Sequence, residues 1–231
     1  MLAHVNGIDL YYEKTGRGRP LLMVHGNGED HTIFREAVNV LKDDFTCYCV
    51  DSRGHGKSAR VAALHYEDMA RDMVAFLEAL ELRDTVFYGF SDGGIVGLLA
   101  AAECRRITTL IVSGANLTPQ GVKPGLRLLL RLAYAFGKDP KIELMLREPD
   151  IPDAVLQKIT ARTLVLAGSR DVIRKEETLR IASAIPGATL KILSGEGHGS
   201  YIVHKERIGE LISSFARREF DQKQASRRDT V

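Results

Sequence analysis

Residues 86–97 read VFYGFSDGGIVG: an apolar run, then Gly89-Phe90-Ser91-Asp92-Gly93-Gly94, then a second apolar run. A strand that enters a glycine corner and leaves as a helix has few folds open to it, because the helix must pack back on the sheet that the strand belongs to. The flanking sequence repeats that alternation. β-type runs at 7–14, 20–24, 45–50, 85–90, 108–112, 163–167 and 189–193 are interleaved with apolar positions at helical spacing. Examples are Ile33, Phe34, Ala37, Val38 and Leu41, then Met69, Met73, Phe76 and Leu80, then Ile208, Leu211, Ile212 and Phe215. Continuously apolar strands alternating with helices predict a mostly parallel α/β sheet, doubly wound, with helices on both faces.

One segment breaks the rhythm. Five of the seven prolines (Pro119, Pro124, Pro140, Pro149 and Pro152) fall between 119 and 152, beside the helical run GLRLLLRLAYAFG with no strand next to it. Residues 116–160 are therefore predicted to form a short helical cap or lid inserted into a discontinuous core of 1–115 and 161–218, with 219–231 a polar C-terminal tail. In the cap, Arg127, Arg131 and Tyr134 share one helix side, while Leu128, Leu129, Leu132 and Phe136 form an apolar surface. That surface either packs on the core or lines an acyl pocket.

The corner itself places chemistry. In G-x-S-x-G between a strand and a helix, small residues two before and two after the serine let its backbone take a strained turn that lifts the hydroxyl above the sheet. The N–H groups at the start of the following helix point to where negative charge develops. A serine hydroxyl needs a base, and the base an orienting acid. Two later strands supply both: one ends at Ser169-Arg170-Asp171, the other at Gly195-Glu196-Gly197-His198. The C-terminal ends of parallel strands share one rim, so Ser91, Asp171 and His198 are expected there together. Glu196, only two residues from His198 in a glycine-rich loop, is poorly placed to be its acid. The loop after Val112 holds no carboxylate.

These blocks, with His25-Gly26-Asn27-Gly28 and Asp51-Ser52-Arg53-Gly54-His55-Gly56-Lys57-Ser58, resemble the α/β-hydrolase fold family over about residues 3–216. The resemblance implies a sheet of about eight strands with Ser91 as nucleophile, His198 as general base and acid, and Asp171 as orienting acid. It implies an oxyanion hole built from the backbone N–H groups of Asn27 and Asp92. The Ser-Asp-Gly-Gly form is similar to the biphenyl hydrolase-like (valacyclovir hydrolase) branch, whose members cleave esters of α-amino acids, although Phe90 stands where that branch carries tryptophan. The substrate-recognition candidates are accordingly the Asp92 carboxylate, Phe90, Leu128, Leu129, Leu132 and Phe136. An acid in the first turn of a helix is also favoured by the dipole alone.

The implied activity is hydrolysis of a small carboxylic ester through an acyl-enzyme. The same triad also supports carbon–carbon bond hydrolysis, thioester cleavage or cofactor-free perhydrolysis, and the fold also serves as a small-ligand receptor. A net charge of +2 gives no reason to expect nucleic acid or membrane as a partner. The N-terminus lacks the basic start and apolar core of a signal peptide, and Cys47, Cys49 and Cys104 make no disulfide framework, so a cytoplasmic location is expected. No cofactor is implied. Asp51 and Arg53 are expected to fix their turn by a charged hydrogen bond. His25 reads as a brace for the oxyanion turn, and His4, His31, His65 and His204 as isolated, so no metal is expected.

Overall fold

The computed structural model describes the backbone of residues 1–228 and side chains as far as Arg217. Eight strands form one sheet in the order β1-β2-β4-β3-β5-β6-β7-β8. These are β1 (Leu2–Val5), β2 (Ile8–Gly16), β3 (Arg19–Val24), β4 (Phe45–Val50), β5 (Thr85–Phe90), β6 (Ile107–Ser113), β7 (Arg162–Gly168) and β8 (Thr189–Leu193). The two junctions of β2, with β1 and with β4, are antiparallel, and every pairing from β4 to β8 is parallel. The sequence shows no sign of β1, because only Ala3 and Val5 of its four residues face the core.

The period-two geometry of a strand divides the core into two layers. Leu21 and Met23 of β3, and Val86, Tyr88 and Phe90 of β5, face the layer that also holds both Cys47 and Cys49. That layer is closed by α1 (Arg35–Leu41), which follows a short 3-10 turn at His31–Phe34, and by α8 (Arg207–Arg228). Leu22, Val24 and Phe87 face the opposite layer, against α2 (Tyr66–Ala79) and α3 (Asp92–Glu103). Met69, Met73 and Phe76 of α2 are buried there, as their spacing predicts. α8 runs on through Arg228, into the stretch predicted as a polar tail, because residues 218–228 contain neither glycine nor proline to stop it. Residues 229–231 lie outside the described residues.

Between β6 and β7 the chain leaves the sheet and forms α4 (Pro124–Gly137), α5 (Pro140–Arg147) and α6 (Asp153–Leu156) before α7 (Lys175–Ala184) joins β7 to β8. Prolines open both α4 and α5, where a missing N–H costs nothing. β3 lies between β4 and β5, so the chain winds away from β3 in both directions. The crevice beyond the carboxyl ends of β3 and β5 is the switch point at which open α/β sheets bind ligands.

Candidate active site

Four strand ends deliver the site. Ser91 follows β5 directly and caps α3 at φ +52° and ψ −113°, a conformation that costs a non-glycine residue strain. The corner tolerates nothing larger than its glycines: a Cβ on Gly89 would lie 2.0 Å from Gly93 O, and one on Gly93 would lie 2.1 Å from Val24 O. Ser91 N–H donates to Ser113 O at 2.8 Å, tying the turn to β6.

Ser91 Oγ lies 3.0 Å from His198 Nε2, and His198 Nδ1 lies 2.7 Å from Asp171 Oδ1. The same Asp171 oxygen accepts the Ile173 N–H at 2.9 Å. Burial works to raise the Asp171 carboxyl, but the hydrogen bond and charge of His198, with the Ile173 N–H, outweigh it and hold the group below the usual carboxylate range. Asp171 thus stays an acceptor, which sets His198 to donate from Nδ1 and accept at Nε2. Glu196 bonds to Ser200 Oγ instead.

The N–H groups of Gly93, Gly94 and Ile95 are committed to His25 O, Ser91 O and Ser91 O. Neither Asn27 N–H nor Asp92 N–H has a backbone acceptor among the described residues. The loop bearing Asn27 is shaped by Glu29, whose Oε2 accepts the Gly26 N–H at 3.0 Å. His25 braces the loop from behind: Nε2 accepts the Ser52 N–H at 3.1 Å, and Nδ1 lies 2.7 Å from Gly26 O. Burial is the main reason its pKa is lowered to about 4.

The Asp92 carboxylate is 3% exposed. Oδ2 accepts from Asn27 Nδ2 at 2.8 Å and Oδ1 from the Tyr66 hydroxyl at 2.9 Å. Burial pushes its pKa up to about 6, against the pull of those two donors. Asp92 and Phe90 border a cleft of about 290 Å³ over Ser91 and His198, together with Glu29, Tyr66, Asn116 and Glu148. Its apolar wall includes Leu126, Leu130, Met145 and Ile173.

Three expectations are corrected here. Leu128, Leu129, Leu132 and Phe136 do not line the cleft; they are 58%, 63%, 51% and 90% exposed, and α4 turns Leu126 and Leu130 inward instead. Asp51 and Arg53 do not pair. Asp51 accepts from the N–H groups of His31 and Lys57, while Arg53 reaches across to Asp72 at 2.6 Å. The four histidines read as isolated each meet a carboxylate: His4 with Asp9, His31 with Asp51 and Glu13, His65 with Glu148, and His204 with Glu36. His31 also stands with Asp30 and Asp51 in a group whose ligand atoms lie within 4.8 Å of one another. Those atoms are already engaged: Asp51 Oδ1 with His31, and Asp30 Oδ1 with Thr32.

The sequence model of the alpha/beta hydrolase fold matches residues 19–136, half of the chain. The chain belongs to the alpha/beta hydrolase fold family. The AB hydrolase superfamily protein YisY of Bacillus subtilis is 27% identical over a 258-residue alignment, which takes in 90% of this chain and 96% of YisY. The serine hydrolase BPHL of Homo sapiens is 36% identical over 120 residues, 48% of this chain and 41% of BPHL. Among solved structures, a bromoperoxidase from Bacillus anthracis superposes with a TM-score of 0.83 at 20% identity, covering 94% of this chain and 99% of its own. An esterase from Exiguobacterium antarcticum gives 0.80 at 22%, with 94% and 99% covered. At such identities the superpositions speak to the fold alone. Family membership and relatives named as hydrolases make this chain an enzyme of the hydrolase class. No described helix is long and apolar enough to cross a membrane.

Proposed function

We propose that the chain is a serine hydrolase that cleaves a small carboxylic ester through an acyl-enzyme. The observation that carries this reading is the unbroken chain from Ser91 Oγ through His198 to Asp171, at 3.0 and 2.7 Å, with Ser91 held on its strained corner. Ser91 attacks the carbonyl carbon as His198 Nε2 takes its proton, and Asp171 stabilises the imidazolium that forms. The Asn27 and Asp92 N–H groups receive the oxyanion, each such donor contributing on the order of 3 kcal/mol. His198 returns the proton to the departing alkoxide, then activates the water that hydrolyses the acyl-enzyme.

The cleft supports a preference within esters. Glu29, Asp92 and Glu148 border it, and no lysine or arginine does among the described residues. A substrate carrying an ammonium group meets that field, as the resemblance of Ser91-Asp92-Gly93-Gly94 to the biphenyl hydrolase-like branch also implies.

Wild type is expected to turn over p-nitrophenyl acetate and to take up a fluorophosphonate label at Ser91. Ser91→Ala loses the label and lowers kcat on the order of 10⁴-fold or more, as removal of a serine nucleophile does elsewhere. Turnover that survives Ser91→Ala, or a wild type that neither turns over nor labels, would overturn the reading.

A further inference from the structure

Helix α4 has no fully buried residue, although its fourteen positions include five leucines and a phenylalanine. Leu126 and Leu130 face the cleft, whereas Leu128, Leu129, Leu132 and Phe136 face outward with half or more of each side chain in solvent. Four large apolar side chains adjoining on one helix face make a patch of the kind that marks an interaction surface. The charge along the helix is one-sided. Residues 123–138 carry Lys123, Arg127, Arg131 and Lys138 and not one acid. No ion pair joins any of the four to a carboxylate among the described residues, and Lys138 lies over the Tyr134 ring at 4.9 Å. The net charge of +2 conceals this, because the balancing acids lie elsewhere in the chain.

We propose that the outer face of α4 docks on an anionic lipid bilayer, with the helix lying in the plane of the headgroups. A helix with bulky apolar residues outward and only cations among its own charged residues suits that boundary: the leucines and Phe136 enter the acyl edge, and the cations meet headgroup phosphates, while Glu143 of α5, beside Tyr134, is paired with Arg147. A second copy of the chain fits less well. A two-fold contact would set this helix against itself, four cations facing four, with the nearby Glu143 already paired with Arg147. Docked in this way, α4 separates the bilayer from the cleft wall at Leu126 and Leu130 by about one helix diameter, roughly 10 Å. The docking does not rest on the chemistry at Ser91.

The experiment is co-sedimentation of the full chain with vesicles of phosphatidylcholine alone or mixed with phosphatidylglycerol. Wild type sediments with the mixed vesicles, far less with the neutral ones, and is released by salt. Arg127→Gln/Arg131→Gln weakens partition on the order of tenfold. Leu129→Glu/Phe136→Glu abolishes it while melting temperature and turnover of p-nitrophenyl acetate stay at the wild-type level, since neither residue borders the cleft. Equal sedimentation with both vesicle types, or none with either, overturns the proposal. So does a wild type that ignores vesicles but forms a dimer that Leu129→Glu/Phe136→Glu dissolves, because the face then belongs to a second copy.

Discussion

Asp92 presents two different parts to the site. Its N–H, at the start of α3, has no backbone acceptor among the described residues, while its carboxylate is locked between Asn27 Nδ2 and the Tyr66 hydroxyl. Burial leaves that carboxyl titrating at about 6, so its charge changes within a range where a hydrolase can still be assayed. The ratio of kcat/KM for a cationic ester to that for a neutral ester of equal size reads the negative charge of the cleft, because protonation of His198 affects both substrates and divides out; comparison with Asp92→Asn separates Asp92 from Glu29, whose pKa is also raised. We expect the wild-type ratio to fall about tenfold or more as pH drops through about 6 and the cleft loses a negative charge. Asp92→Asn should show a low ratio with no such step. A wild-type ratio that ignores pH removes Asp92 from substrate choice. The residues around it differ in how readable they were. Ser91, Asp171 and His198 each stand just behind a strand end and so announce themselves. Tyr66 opens a helix 26 positions before its partner, and Glu29 lies in a loop whose path nothing local dictates. The leucines of α4 cover a broad arc opposite Arg127 and Arg131, so periodicity alone could not choose which part of that arc meets the cleft.

At the scale of elements, one carboxylate joins three pieces of chain. Asp72, fully buried in α2, accepts from Arg53 Nε and Nη2 at 2.6 Å each and from Asn6 Nδ2 at 3.0 Å. Arg53 comes from the loop after β4 and Asn6 from the turn between β1 and β2, so α2 is pinned to both. Sequence spacing shows α2 through Met69, Met73 and Phe76 but treats Asp72 as one more polar helix position, because its partners are 19 and 66 residues away. The misread Asp51–Arg53 pair has the same origin. Neighbours two apart in one turn invite pairing by charge, while the fold turns Arg53 to α2 and gives Asp51 to His31. Removing one partner of a buried pair strands the other. Asp72→Ala is therefore expected to lower unfolding stability by about 3–5 kcal/mol in urea titration. Arg53→Ala/Asp72→Ala should lose less than the two single losses added together. Strict additivity would mean that the two side chains do not support each other.

Across the whole molecule, buried groups of opposite type share one pH window. His25 is pushed down to about 4 and His55 is also lowered, both chiefly by burial, so each folds neutral. Their contribution is complete above the unfolded value of 6.5 and is lost as pH falls through the folded pKa, because the unfolded chain then binds more protons. Asp92 is pushed up to about 6 and Glu29 is also raised, again chiefly by burial. For these acids the stabilising contribution is complete below the unfolded value and is lost as pH rises through the folded one, the opposite slope. His25 and Asp92 are each worth about 3 kcal/mol across the window at these displacements, so they nearly cancel. Wild-type stability is accordingly expected to change little between about pH 6.5 and 4. It then drops below the ordinary aspartate range, where Asp171, held low by His198, finally takes a proton. Asp92→Asn removes the acid's slope and leaves that of His25 uncovered. The variant should lose about 3 kcal/mol between about pH 6.5 and 4 while wild type stays nearly level, read as urea midpoints at each pH. If the variant's midpoints stay as level as those of wild type, His25 and Asp92 are not the pair that balances this fold against acid.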